Sequence, residues 1–308
     1  FNRSRPPEKV EQHRKRTSSP RVLNSRRSET PPQEQHQVVP SAGMDDATDA
    51  AAVRSVWADN FEAESAVFRQ IAPHATHVAL NVQYPGCVVR GDARKSHYDM
   101  TAEERYQVIH ANVSLLKPLH VGLAIRTGDG GRFAWEFNLR GFDVASDLDA
   151  RDPDSIAYLA RRGVDLGRLP TSGVHGHELR WMLRDSGLLG ARASWATFAG
   201  AYHVGYFAAM MSGEELPGDV NAFMEVVRQL LGPSVYDVKL LARQHDRRCV
   251  GALSHVVKQL GVEQPDEPNS TPAGTGSTLA LLAFETLKEK LGANMEKHRG
   301  QLCGLQAV

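Results

Sequence analysis

The stretch His77-Val78-Ala79-Leu80-Asn81-Val82-Gln83-Tyr84-Pro85-Gly86 decides how the chain is read. His77–Val82 is a short apolar run and reads as a buried strand. Upstream, Val53, Val56, Trp57, Phe61 and Phe68 recur at helical spacing, which predicts an amphipathic first helix to about residue 72. Downstream, Thr101 with Glu103 and Glu104 in the following turn predicts a helix over Thr101–Lys117. Leu119–Arg126 and Arg132–Asn138 are strand-like and flank Thr127-Gly128-Asp129-Gly130-Gly131, a hairpin turn signal. A Gly-rich phosphate loop would lead into a helix; here a strand follows. Helices are predicted at about 153–162, 174–186, 219–231, 250–260 and 275–291. Trp195–Phe198 reads as a strand running into a helical stretch from Tyr202 to Met211, and Val235–Asp237 as a short strand. The pattern is α/β: a mixed sheet flanked by helices, in a single domain.

Bulk numbers narrow the function. The 308 residues, 41% hydrophobic, suffice for one sizeable core and at most two domains. The formal net charge of zero hides an asymmetry. Residues 1–43 carry nine Lys/Arg against four Glu, so they hold +5 and the remainder −5. A mildly acidic body is no generic nucleic-acid binder, because phosphate contacts need basic side chains. Three cysteines (Cys87, Cys249, Cys303) without paired spacing exclude a disulfide framework and point to a reducing compartment. No apolar run approaches the roughly 18 residues of a membrane span. Residues 1–45 are expected to form a disordered basic segment, rich in Pro, Ser, Arg and Gln. Two readings of it stand: native tail, or sequence upstream of a start at Met44. Residues 46–308 then form the folded domain.

Several blocks, in order, resemble one family. They are Val56-Trp57-Ala58-Asp59-Asn60, Val78 through Val88, Ala111-Asn112-Val113-Ser114-Leu115-Leu116-Lys117, Trp135-Glu136-Phe137-Asn138 with Phe142-Asp143, Gly200 through Tyr206, Val235-Tyr236-Asp237-Val238-Lys239, and Ala273-Gly274-Thr275-Gly276-Ser277. Over about residues 52–306 the chain resembles the deadenylase subunit of the CCR–NOT complex, the Caf/Pop branch of the DEDD 3′→5′ exonucleases. The resemblance implies a ribonuclease-H-like fold, a role in mRNA decay, residence in nucleus and cytoplasm, and two-metal phosphodiester hydrolysis with Mg²⁺ or Mn²⁺. Hard cations of this kind take carboxylate oxygens, and the family supplies four, with a histidine to orient the attacking water.

The chain departs from that pattern at each place. By the resemblance, the Asp-x-Glu positions are Asn81 and Gln83, the third aspartate position is His203, the fourth is Gly276, and the water-orienting histidine position is Thr271. No catalytic residue of the family set is intact, and no cofactor is expected. Two dications there would have no compensating charge. His203 could hold a single transition metal with Cys87 or Asp237, although a lone histidine is more often hydrogen-bonded. Ala273–Thr278 opens a helix and could cradle phosphate on its amides, but no P-loop lysine follows. The expected function is that of a pseudo-enzyme acting through protein contacts, with an active poly(A)-specific exoribonuclease and a metal-free RNA-binding module as alternatives. The resemblance also implies CCR–NOT nuclease and scaffold subunits as partners, the nuclease contact including the helix that carries Ala111, Asn112 and Leu115. Arg184 stands where the family's scaffold contact has Met, and an unpaired guanidinium in an apolar interface is strongly unfavourable.

Overall fold

The computed structural model describes residues 52–190, 192–263 and 272–306. The expectations for residues 1–45 and for Thr271 therefore lie outside the described residues. The strands are β1 (Val53–Val56), β2 (Ala75–Gln83), β3 (His120–Thr127), β4 (Arg132–Arg140), β5 (Val174–His175), β6 (Ser194–Thr197) and β7 (Val235–Asp237). The helices are α1 (Phe61–Ile71), α2 (Ala102–Leu115), α3 (Pro153–Arg161), α4 (Leu169–Ser172), α5 (Gly176–Asp185), α6 (Ala201–Ser212), α7 (Val220–Leu231), α8 (Val238–His245), α9 (Leu253–Gln259) and α10 (Pro272–Leu291). The sheet order is β1-β4-β3-β2-β6-β7, with β5 paired to β4. β2, β3 and β4 form an antiparallel meander, whereas β1, β6 and β7 run parallel to their neighbours.

Alternation along the strands builds two unlike cores. Val78, Leu80, Val82, Leu123, Trp135 and Phe137 pack on one face with residues of α2, α5, α6 and α7. The opposite face is paved with Ala79, Ala124, Ala134 and Ala196, and against it lie α8, α9 and α10. Small residues there let α10 approach the sheet closely. At Gly122 a Cβ would lie 2.0 Å from the Ala273 carbonyl oxygen. Period-two geometry puts Asn81 and Gln83 on this second face.

Two sequence expectations are corrected. Val53–Val56 belongs to a parallel edge strand against Ala134–Phe137, and the first helix starts only at Phe61. Asp237 caps a helix, α8, that the periodicity did not show: its carboxylate accepts from the Lys239 amide. Elsewhere Thr101 and Glu104 form a reciprocal capping box at α2, and 127–131 is the expected hairpin turn, with Gly130 at φ +101°. Among the described residues no helix is long and apolar enough to cross a membrane.

Candidate functional site

The cleft lies where β2 outruns β6. Their ladder ends at the Ala79–Ala196 pair, so the backbone farther along β2 has no strand partner on that side. A side chain takes over: His203, in the first turn of α6, puts Nδ1 3.1 Å from the Val82 amide nitrogen and 2.9 Å from its carbonyl oxygen. Which bond forms depends on the tautomer, but either commits Nδ1 to the backbone between Asn81 and Gln83. The ring also meets the Phe198 backbone, and burial pushes its pKa down to about 4 despite these contacts. A neutral, backbone-bonded imidazole results.

Gln83 Nε2 donates to Asn81 Oδ1 at 3.0 Å. Gly276, inside α10, lies so near that a Cβ on it would sit 2.6 Å from Asn81 Nδ2 and 2.8 Å from Cγ. Asn81, Gln83, His203 and Gly276 therefore converge, as the spacing of the blocks implied. Beside them Tyr84 stacks between Tyr202 and Tyr206, at centroid distances of 5.3 and 4.8 Å. Burial pushes the Tyr84, Tyr202 and Tyr206 hydroxyls well above the usual phenol range. Gln83, Tyr84, Cys87, Arg90, Tyr158 and His203 line the open part of the cleft, about 450 Å³.

The donor set of this cluster is two carboxamides and one occupied imidazole. Mg²⁺ and Mn²⁺ are held by oxygen ligands with compensating charge, and these residues do not fit them. Of the two partners named for a single metal at His203, Asp237 is not available. Asp237 is fully buried, with Oδ1 accepting from the Ala199 and Lys239 amides and Oδ2 from those of Gly200 and Cys303. Among the described residues no group of three or more His, Cys, Asp and Glu is placed to share an ion.

Glu136, from the Trp135–Asn138 block, stands beside this cluster. It is fully buried on β4, in register with Gly122 and through it with Asn81. Oε2 accepts the Gly274 amide at 2.7 Å, and the Ala273 amide also reaches the carboxylate. These are the leading amides of α10, so the phosphate-cradle reading of 273–278 is corrected: a carboxylate of the chain itself occupies that helix end. A charge inside the apolar run Phe133–Leu139 was the available signal. Burial pushes the Glu136 pKa up to about 7, against the pull of the two amides. A folded-state value above the unfolded one of about 4.3 favours the protonated native form. The contribution is complete below pH ~4.3 and is lost as pH rises through about 7. At ~1.4 kcal/mol per pH unit the part of this window above pH 5 is worth roughly 3 kcal/mol. Urea unfolding at pH 5 and 8 should show the wild type losing about that much relative to Glu136→Gln. Parallel pH dependences for the two proteins would refute it.

The expected nuclease-contact helix needs one correction. Asn112 is fully buried, not on a contact surface. Its Oδ1 accepts the Val88 and Val89 amides, and Nδ2 donates to the Val89 and Val108 carbonyls, pinning the loop that leaves β2. Leu115 does face outward. Arg184 is exposed on α5 and Nη2 donates to the Met211 carbonyl at 2.7 Å, so in the free chain it is neither buried nor unpaired.

Residues 56–178 match the description CAF1 family ribonuclease. A relative from Arabidopsis thaliana, probable CCR4-associated factor 1 homolog 7, is 30% identical over 268 residues, 83% of this chain and 94% of the relative. The chain belongs to the CAF1 family. Homolog 10 of the same plant is also 30% identical, over 83% of this chain and 93% of its own length. The Mg²⁺- and Mn²⁺-bound structure of S. pombe Pop2p superposes with a TM-score of 0.70 at 23% identity, covering 82% of this chain and 99% of that one. Yeast CAF1 co-crystallised with the NOT1 MIF4G domain gives a TM-score of 0.65 at 25% identity, over 82% and 96% of the two chains. The CAF1 fold, a ribonuclease-H-like mixed sheet flanked by helices, is thus the fold of this chain.

Proposed function

We propose that this CAF1-family chain serves mRNA poly(A)-tail turnover as a catalytically silent homologue, working through protein contacts in a CCR–NOT-type assembly. The observation that carries this is the packing of Gly276 against the Asn81 carboxamide. Where the family resemblance places two metal-binding carboxylates, this chain has an amide touching a residue with no side chain. The bond from His203 to Val82 fills the third position in the same way. Phosphodiester hydrolysis by two cations needs charge that these groups do not carry. The working domain is residues 46–308, acting in nucleus and cytoplasm.

The yeast CAF1 structure contains a NOT1 MIF4G domain, which makes such a domain the scaffold partner in this reading. Trp181, 67% exposed on α5, offers an apolar anchor three residues from Arg184.

The test is an oligo(A) shortening assay with Mg²⁺ and with Mn²⁺, run beside S. pombe Pop2p as a positive control. No shortening above background is expected from this chain. Processive 3′ trimming that co-elutes with the folded protein would overturn the proposal in favour of an active exoribonuclease.

A further inference from the structure

A second cavity, about 600 Å³, lies among the β2–α2 loop, α6, α8 and the C-terminal segment. It shares Tyr84 and Arg90 with the cleft, but Gln83 and His203 do not line it. Its size falls within the range of small-molecule sites. We propose that this cavity binds a nucleotide, the phosphates against Arg105, Lys239 and Arg243 and the base against Tyr98 on the rim.

Charge carries the argument. Lys239 and Arg243 stand four residues apart on α8, so they share a helix face. Arg105 is 7% exposed. Its Nε donates to the Leu305 carbonyl at 2.8 Å, and Nη1 donates to the carbonyls of His97, at 3.2 Å, and Met100. All three acceptors are neutral. Among the described residues none of Arg105, Lys239 and Arg243 forms an ion pair. Of the other charged groups in the lining, Asp92 is matched by Arg94 and Lys95 by Glu104, while Arg90 adds a further cation. Asp237 lies behind the wall with both oxygens committed to amides. Three cations, one of them buried, thus converge without a counter-ion, an arrangement that is costly until an anion arrives. The His97 ring reports the same field: burial, then the charges of Arg105 and Lys239, push it toward its neutral form. Guanidinium forks and an ammonium suit phosphate oxygens. Tyr98, 70% exposed, supplies a free aromatic face at the mouth. The hydrogen bonds of Asn112 to Val88 and Val89 fix the start of the loop that carries this wall.

This inference is independent of whether the cleft hydrolyses RNA. Calorimetric titration of the full chain with ATP, tripolyphosphate, adenosine and oligo(A) tests it. ATP is expected to bind, and to weaken as salt rises from about 50 to about 200 mM. Adenosine is expected to bind at least about tenfold more weakly, and Lys239→Met with Arg243→Met to cost at least about tenfold. Tyr98→Ala, at a surface position that the fold does not need, is expected to weaken ATP but not tripolyphosphate. Lys288→Met, at the separate basic groove near His77 and Arg126, is expected to change nothing. Oligo(A) binding with an undiminished response to the α8 variants would place the same site at an RNA terminus. No ATP binding at low salt, or binding indifferent to Lys239 and Arg243, would overturn the proposal.

Discussion

The chain carrying Asn81→Asp, Gln83→Glu, His203→Asp, Gly276→Asp and Thr271→His is expected to gain Mg²⁺-dependent oligo(A) trimming, on the order of 10²-fold or more above the unmodified chain, while each single variant stays silent. Groups that act as a unit are grossly non-additive, with roughly 10⁶-fold lost when such a unit is dismantled. One restored carboxylate leaves the other positions vacant. Gly276→Asp is the difficult member of the set. Gly276 lies within α10 and is not among the glycines with positive φ, so no left-handed backbone opposes Gly276→Asp. The obstacle is the side chain at position 81, whose terminal nitrogen in the unmodified chain lies 2.6 Å from where the new Cβ would sit, and the isosteric side chain of Asn81→Asp must yield a few tenths of an ångström or more. Removing the His203 ring also strips the Val82 backbone of its partner, at about 1–3 kcal/mol for an unsatisfied buried group. Without metal the variant should therefore melt below wild type, and Mg²⁺ should raise its melting temperature while leaving the wild type unmoved. Trimming by the unmodified protein, or full activity from one substitution, would show that the roles are misassigned. A variant that gains the Mg²⁺ shift without activity would locate the remaining defect in the groove.

Asp237→Ala is expected to be the most damaging single change. Four backbone amides lose their acceptor at once. At about 1–3 kcal/mol for each buried donor left unsatisfied, the loss should exceed roughly 4 kcal/mol, a large part of a typical domain's 5–15 kcal/mol. Asp237→Asn, which keeps one acceptor oxygen, should fall between. Urea unfolding followed by fluorescence and by far-ultraviolet dichroism measures both. A change below about 1 kcal/mol for Asp237→Ala would mean that water replaces the carboxylate and that these bonds are dispensable.

What was legible in the sequence followed from local signals strong enough to stand alone. The turn 127–131 between two apolar runs identified the hairpin, and Thr101 with Glu104 marked the start of α2. β1 was misread because four residues are too short to show a period, and its Val53 and Val56 fell in step with the helix that follows. α8 was missed although Asp237 was an available N-cap, because its strand and helix share that residue with no loop between them. The convergence of Asn81, Gln83, His203 and Gly276 was readable from ordered blocks. Their packing was not: the reach of His203 to the Val82 backbone, the close approach of Gly276 and the capping of α10 by Glu136 depend on how near a helix comes to a sheet. That distance is set by alanines and Gly122 scattered over four strands. The basic cavity was hidden for a similar reason. A net charge sums over the chain, whereas Arg105, Lys239 and Arg243 meet only in three dimensions.

The hydrogen bonds to the C-terminal segment impose an order on biosynthesis. The Cys303 amide reaches Asp237 across 66 positions, and the Leu305 carbonyl receives Arg105 across 200. Chains are made from the N-terminus, and early segments begin to fold as they emerge. The β2–β3–β4 meander can close while translation continues, since its contacts are local. The buried Asp237 carboxylate and the Arg105 guanidinium cannot be fully satisfied until residues 303–305 have left the ribosome. A nascent chain stalled short of that point would hold a formed meander beside two buried charges, each short of one hydrogen-bond partner.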